Sequence, residues 1–369
     1  MKTVSLAFCF NNAYCPLASG AISSLIRHTS NQYQYEIYIL QDDISEQNRF
    51  MISSLNDKEN VNINFVEVDF NKLTQEDIGY NSRVTKYTFT RLFLHNIFPN
   101  LDKILYLDSD LIVASDVAEI FNQNLDGYGI GVCLDPITQK GIEKLKIALL
   151  DKKTPGFEEY KYQYDYFSKY LELSDDEIIK YFNAGVLLMD LKKAGNALDK
   201  FLPKLLKKQY YLPDQDILNI IFKSDKKILD PKFNVFDIRT FDFITKTSKY
   251  PVIIHFNGPI KPVDTMARPM AYSYWEEVSR TPYYYPAIER FINRQIAQQQ
   301  NITNDLKTVE ALFYNLKRFS RLHRQRKYIR LILKLLVDAR KYEKLKKDPE
   351  KFFADSKSAF IRFLGRYYI

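Results

Sequence analysis

The chain has 369 residues, with 53 Lys and Arg against 45 Asp and Glu and 46% hydrophobic residues, so it holds ample apolar material for a folded core. Disordered, collagen-like and low-complexity classes are excluded, and the length admits one large domain or two smaller ones. Three cysteines, Cys9, Cys15 and Cys133, are too sparse for a disulfide framework and lack metal-type spacing, which points to a reducing compartment.

Val4 to Phe10 reads as a first buried strand rather than a signal peptide, because the apolar run passes straight into Asn11-Asn12 without a small-residue cleavage site. Pro16 to His28 is apolar at helical spacing through Leu17, Ile22, Leu25 and Ile26. Tyr35 to Leu40 reads as a strand, Ser45 to Leu55 as a helix opened by a Ser cap, and Val61 to Val68 as an alternating strand. This alternation predicts a parallel α/β sheet, in which ligands bind at the carboxyl ends of the strands. No stretch reaches the about 18 apolar residues of a membrane span. The nearest, Tyr328 to Val337, contains Arg330 and Lys334.

Lys103 to Leu107 is an apolar run that ends in Asp108-Ser109-Asp110 and resumes as Leu111-Ile112-Val113. Carboxylates at i and i+2 on extended backbone project to the same side. Between apolar flanks they are costly unless a cation neutralises them, which a divalent metal ion does; two exposed loop aspartates are the plainer alternative. Further along, Asn183 and Gly185 open the apolar run to Met189, where Gly lets backbone come close to a ligand. Leu212 to Asn219 opens a helix with Asp214, Gln215 and Asp216, and Asp214 alone is compatible with an N-cap. Val252 to Ile254 leads into His255, Gly258 and Lys261; a lone histidine at such a strand end is more often structural.

Taken in order, Tyr106-Leu107-Asp108-Ser109-Asp110, Phe182-Asn183-Ala184-Gly185-Val186-Leu187-Leu188, Asp214-Gln215-Asp216-Ile217-Leu218-Asn219 and His255-Phe256-Asn257-Gly258-Pro259-Ile260-Lys261-Pro262 resemble glycosyltransferase family 8. Its members are retaining hexosyltransferases, among them bacterial lipopolysaccharide galactosyl- and glucosyltransferases and, more distantly, glycogenin. The resemblance covers about residues 1–275 and implies the GT-A nucleotide-sugar-binding fold, an α/β architecture with a Rossmann-like mixed sheet. It also implies that Asp108, Asp110 and His255 hold Mn²⁺, with Mg²⁺ as the alternative; an imidazole beside two carboxylates favours Mn²⁺. Gly258 and Lys261 are then expected on the UDP diphosphate and Arg91 on the sugar or phosphate. Phe8 and Asn11 are expected on the donor, although Asn11-Asn12 stands where many relatives carry an acidic uracil contact. Asp135, Asn183, Asp214 and Gln215 fall where the family surrounds the donor hexose. Gln215, on the face where a retaining glycosidase places its carboxylate, is a poor nucleophile. The resemblance therefore implies front-face transfer, with Asp135 or Asp214 left as an alternative nucleophile.

Between Asp135 and Asn183 lie 47 residues carrying Tyr160, Tyr162, Tyr164, Tyr166 and Tyr170, expected to cover the donor and shape the acceptor site, or else to act as packing material. Charge is uneven along the chain: residues 301–369 carry 18 Lys and Arg against 7 Asp and Glu, leaving 35 against 38 in residues 1–300. Val309, Leu312, Phe313, Leu316 and Phe319 recur there at helical spacing among basic residues, a pattern suited to an anionic membrane surface or, more plainly, to a packed helical subdomain. The expected organisation is a catalytic domain over 1–275, a connecting segment over 276–300 and a basic, aromatic-rich helical extension over 301–369. The expected protein is a cytoplasmic enzyme, peripheral on the inner face of the plasma membrane. It moves galactose or glucose from a UDP-sugar to a glycan or glycolipid acceptor in lipopolysaccharide or other surface-polysaccharide synthesis. Its rivals are a transferase acting on protein or on itself, an inactive sugar-nucleotide binder disfavoured by the intact metal triad, and a basic nucleic-acid-binding protein. No nucleic-acid-binding signature accompanies the basic segment, so that partner is not expected.

Overall fold

The strands read from the sequence all form in the computed structural model, which describes residues 1–70, 86–150, 157–237, 250–297 and 300. Strand β1 (Lys2–Cys9) leads into helix α1 (Cys15–His28), followed by β2 (Tyr33–Gln41), α2 (Glu46–Ser53) and β3 (Val61–Glu67). Pro16 sits in the first turn of α1, where a missing N–H costs nothing, and the Ser45 hydroxyl accepts from Asn48 N–H to cap α2. Then come β4 (Lys103–Leu107), β5 (Leu111–Val113), β6 (Ile130–Leu134), α3 (Pro136–Leu150) and α4 (Phe157–Asp165). They are followed by β7 (Phe182–Asp190), α5 (Leu191–Leu205), α6 (Pro213–Ile221), β8 (Lys226–Ile228), β9 (Val235–Phe236), β10 (Ile253–His255) and α7 (Ala271–Val278).

Seven strands form the main sheet in the order β3-β2-β1-β4-β7-β6-β8. Every strand but β7 points the same way, and β7 runs antiparallel to both of its neighbours. This reversal positions the site. Leu107 lies opposite Val186 and Leu134 opposite Phe182, so the first residues of β7 meet the edge where β4 and β6 deliver Asp108 and Asp135. The main sheet is covered on both faces: Val4, Leu6 and Phe8 of β1 enter one apolar cluster, Ala7 and Cys9 the other. A second sheet, β5-β10-β9, pairs β10 antiparallel to β5, with His255 opposite Leu111, and parallel to β9, with His255 beside Phe236.

The chain forms two compact units, residues 1–146 with 160–290, and residues 147–159 with 291–369. The described residues of the second, 147–150, 157–159, 291–297 and 300, are helical. The basic extension expected over 301–369 lies outside the described residues. Among the described residues no helix is long and apolar enough to cross a membrane.

Candidate functional site

At the end of β4, Asp108 N–H donates to the Gly185 carbonyl at 2.8 Å, which ties the turn bearing Asp108 and Asp110 to β7. Phe256 N–H donates to the Asp110 carbonyl at 2.9 Å, extending the β5–β10 pairing and bringing His255 onto the same turn. The ring is 1% exposed, with Nε2 3.3 Å from Asp110 Oδ1 and 3.8 Å from Asp108 Oδ2. One ligand atom from each of the three residues lies within 4.8 Å of the others. Two carboxylates and one imidazole fit a divalent cation that prefers oxygen and nitrogen ligands. Gly185 supplies the room: a Cβ there would lie 2.3 Å from His255 Cε1 and 2.7 Å from Asp108 Oδ2.

Two buried cations balance these carboxylates. Lys261 Nζ contacts Asp110 Oδ2 and donates to the Phe256 carbonyl at 3.2 Å. Arg91 donates to Asp108 Oδ1 at 2.7 Å, and its Nε is 3.1 Å from Asp214 Oδ2, while the guanidinium lies 4.6 Å from the centre of the Tyr106 ring. Lys261 and Arg91, expected on the donor, thus face the carboxylates. Burial opposes ionisation of Asp110, yet Lys261 beside it, joined by His255 when its ring is charged, holds its carboxyl well below the usual range.

Beside the metal cluster runs a row of amides. Gln215 Oε1 accepts from Asn183 Nδ2 at 3.0 Å and from Ala184 N–H at 3.1 Å, and Gln215 Nε2 donates to Asp135 Oδ2 at 3.3 Å. Asp135 Oδ1 accepts from the N–H groups of Ile137 and Thr138, both at 2.9 Å. Asn219 clamps the start of β7 to α6, accepting from Phe182 N–H and donating to the Phe182 carbonyl, each at 2.9 Å. The N-cap of α6 is Leu212, so Asp214 lies inside the first turn and is not the cap that its residue type allows.

Burial pushes the Asp214 carboxyl up to about 6, Arg91 opposing and Asp108 adding to the rise. An ordinary carboxylate titrates near about 3.9. The folded protein therefore holds this proton more tightly than the unfolded chain, and stability falls as pH rises through that window. Asp214→Asn is expected to leave stability nearly unchanged at pH 4 and to raise it above pH 6 by on the order of 1–3 kcal/mol. Thermal melts of both proteins across pH 4–8 check this; a variant that loses stability as pH rises contradicts it.

The remaining expected donor residues are placed differently. Asn11 Oδ1 accepts from Tyr14 N–H at 3.1 Å and caps a short turn, and the Phe8 side chain is fully buried in the apolar cluster on one face of the main sheet. Gly258 has φ +97°, which only glycine adopts without strain, and opens the loop that ends at Lys261. That loop is held by residues that no motif marks. Arg268 donates to Asp237 Oδ2 at 2.8 Å and to the carbonyls of Asn257 and Ile260, and Asp237 Oδ1 accepts from Met270 N–H at 2.8 Å.

The tyrosines of the insertion divide between packing and surface. Tyr166 donates to Asp216 Oδ2 at 2.6 Å, stacks on Tyr170 and packs against Tyr211; Tyr181 donates to Asp216 Oδ1 at 2.5 Å. These bonds fix the turn that leads into Asp214 and Gln215. Tyr162 and Tyr211, whose hydroxyls meet, are 63% and 53% exposed, and Leu212 is 52% exposed. Tyr211 and Leu212 lie just ahead of α6, the helix that carries Gln215.

The sequence matches the family described as Glycosyl transferase family 8 over residues 5–265. It is 23% identical over 283 residues to the lipopolysaccharide 1,2-glucosyltransferase of Escherichia coli K12, covering 71% of this chain and 75% of that one. Among solved structures, the bifunctional glycosyltransferase WbbM superposes with a TM-score of 0.65 at 23% identity, covering 79% of this chain and 52% of that one. This chain thus spans about half the length of WbbM. The galactosyltransferase LgtC, solved with donor and acceptor sugar analogues, gives a TM-score of 0.58 at 21% identity, covering 76% and 96%. The fold is the GT-A type of these enzymes.

Proposed function

The chain belongs to glycosyl transferase family 8, and from that membership we propose that it moves a hexose from a UDP-sugar to a glycan acceptor with retention of anomeric configuration. The hexose is galactose or glucose, the sugars in the names of LgtC and the E. coli relative, and the acceptor belongs to lipopolysaccharide or another surface polysaccharide. One observation carries the reading: the Asp108–Asp110–His255 cluster and the Asn183–Gln215–Asp135 row share the first residues of β7. In this reading Asp108, Asp110 and His255 hold Mn²⁺, which when bound neutralises the diphosphate of the departing UDP. Lys261 and Arg91, already bonded to Asp110 and Asp108, add positive charge against the same diphosphate.

Retention through a covalent intermediate needs a carboxylate free to attack. Each oxygen of Asp135 accepts at least one hydrogen bond, Asp214 is paired with Arg91, and the Gln215 carbonyl oxygen accepts two N–H bonds. These commitments support front-face transfer, in which the acceptor hydroxyl attacks the anomeric carbon as the phosphate leaves and a phosphate oxygen takes the hydroxyl proton. The exposed Tyr162 and Tyr211, the latter leading with Leu212 into the helix that carries Gln215, support an acceptor side there, since aromatic faces bury the apolar faces of sugars.

The test needs no knowledge of the acceptor. Offered a panel of UDP-sugars, the protein is expected to hydrolyse one hexose donor slowly with Mn²⁺. Gln215→Ala is expected to lower that rate about 100-fold with UDP affinity nearly unchanged. Hydrolysis of none of the panel, or equal hydrolysis in excess chelator, sinks the reading. We also propose that residues 301–369 hold the enzyme to an anionic membrane surface, a reading supported by their basic charge and by the helical spacing of their apolar residues. Each basic residue near such a surface contributes roughly 1 kcal/mol, screened by salt. Full-length protein that ignores anionic vesicles at low salt would refute it.

A further inference from the structure

Asn234 was invisible to motif reading, yet it is buried and bonds to the Nδ1 side of the His255 ring, the side turned away from Asp108 and Asp110. It follows a short turn, Pro231–Phe233, and directly precedes β9, whose pairing with β10 sets Val235 opposite Ile254. Its Oδ1 lies 2.9 Å from His255 Nδ1, and its Nδ2 donates to Asn183 Oδ1 at 2.9 Å. The chain of bonds has a fixed direction. Gly185 N–H donates to Asn183 Oδ1 at 2.9 Å, so that atom is the oxygen, and what Asn234 presents to it must be the NH₂ end. The carbonyl end of Asn234 then faces the ring, and a carbonyl only accepts. Nδ1 must therefore carry a proton, and the neutral ring bears its lone pair on Nε2, on the side of Asp108 and Asp110.

On the other side Ala184 N–H fixes Gln215 Oε1 in the same way, so the row continues through Asn183 and Gln215 to Asp135 with every amide oriented by β7 backbone. We propose that Asn234 is a positioning residue that holds His255 in the Nδ1–H tautomer and joins the histidine to the row beside the donor sugar. The proposal rests on the reading of Asp108, Asp110 and His255 as the metal site. Outer partners that fix a ligating histidine in this way act on metal affinity through ring orientation and tautomer. The described side-chain hydrogen bonds of Asn234 run to His255 and Asn183 and to neither aspartate nor Gln215, so its effect is expected to pass through those two residues.

The tautomer can be read directly, without a variant, from long-range ¹H–¹⁵N correlation spectra of the metal-free protein at a pH where the ring is neutral. Nδ1–H is expected, and an Nε2–H signal for His255 overturns the proposal. Asn234→Ala is expected to release the ring to the Nε2–H form and to weaken Mn²⁺ binding, measured calorimetrically, about 10- to 100-fold. Asn234→Asp keeps an acceptor for Nδ1–H and is expected to retain the tautomer and most of the affinity; a merely structural role predicts that it fails as Ala does. His255→Ala serves as the reference. If it loses binding while Asn234→Ala keeps both tautomer and affinity, the metal site stands and the positioning role falls. If His255→Ala binds Mn²⁺ as the wild type does, the metal reading itself falls and takes the positioning role with it.

Discussion

Gly185→Ala is expected to abolish metal-dependent UDP binding and to cut transfer by more than about 100-fold while leaving the fold intact. A Cβ at this position meets three side chains at once: His255 Cε1 at 2.3 Å, Asp108 Oδ2 at 2.7 Å and Asn183 Oδ1 at 3.0 Å. None of the three can step aside without giving up a bond. His255 is bonded to Asn234 and packed edge-on against Phe236, Asp108 is bonded to Arg91, and Asn183 is bonded to Gly185 N–H, Asn234 and Gln215. Overpacking of this kind costs about 1–3 kcal/mol, well inside the about 5–15 kcal/mol by which domains are stable. The strain is instead absorbed by displacing the ligand set, where small misplacements cost most. Circular dichroism melts paired with calorimetric titration of UDP, with and without Mn²⁺, separate the two effects. Undiminished metal-enhanced binding in a folded Gly185→Ala would show that the ligand atoms lie elsewhere.

Gly185 also shows how far the sequence could be read. Its residue type signals close approach, but the groups that approach are the protein's own His255 and Asp108. The strands were legible because apolar runs at a period of two survive any tertiary context, and Asp108 and Asp110 because their spacing on extended backbone is local. The reversal of β7 was not legible, since an apolar run reads the same in either direction. It is this reversal that brings Asn183 to the edge occupied by Asp108 and Asp135. Asn234, Asp237 and Arg268 were missed for a related reason. Their partners, His255, Met270 and the carbonyls of Asn257 and Ile260, lie across a strand pairing or at the far end of a loop, and isolated polar residues carry no period. The tyrosine-rich insertion was legible as adhesive, yet which tyrosines pack and which stay exposed depends on Asp216, whose carboxylate captures Tyr166 and Tyr181.

The charge arrangement of the metal cluster yields a prediction in which two substitutions act with opposite sign. Lys261 is buried and bonded to Asp110, so in the metal-free protein it occupies the carboxylate that a divalent cation needs. Asp110→Asn removes a ligand and a charge. Mn²⁺ is then expected to give no thermal stabilisation, and His255→Ala added to it should cost little more, because both substitutions remove ligands from one ion. Lys261→Met leaves Asp108 and Asp110 crowded together with Arg91 as the one full cation bonded to them among the described residues. Breaking a buried pair by removing one partner costs about 3–5 kcal/mol, so this variant should melt well below the wild type without metal. Mn²⁺ replaces the missing charge and no longer competes with an ammonium group, so the stabilisation it confers, which grows as RT ln(1 + [L]/Kd), should exceed that of the wild type. Differential scanning fluorimetry over a Mn²⁺ series, on the wild type, the two single variants and the Asp110→Asn/His255→Ala double variant, reads all four responses. Equal shifts in all of them would place the cation somewhere other than between Asp108, Asp110 and His255.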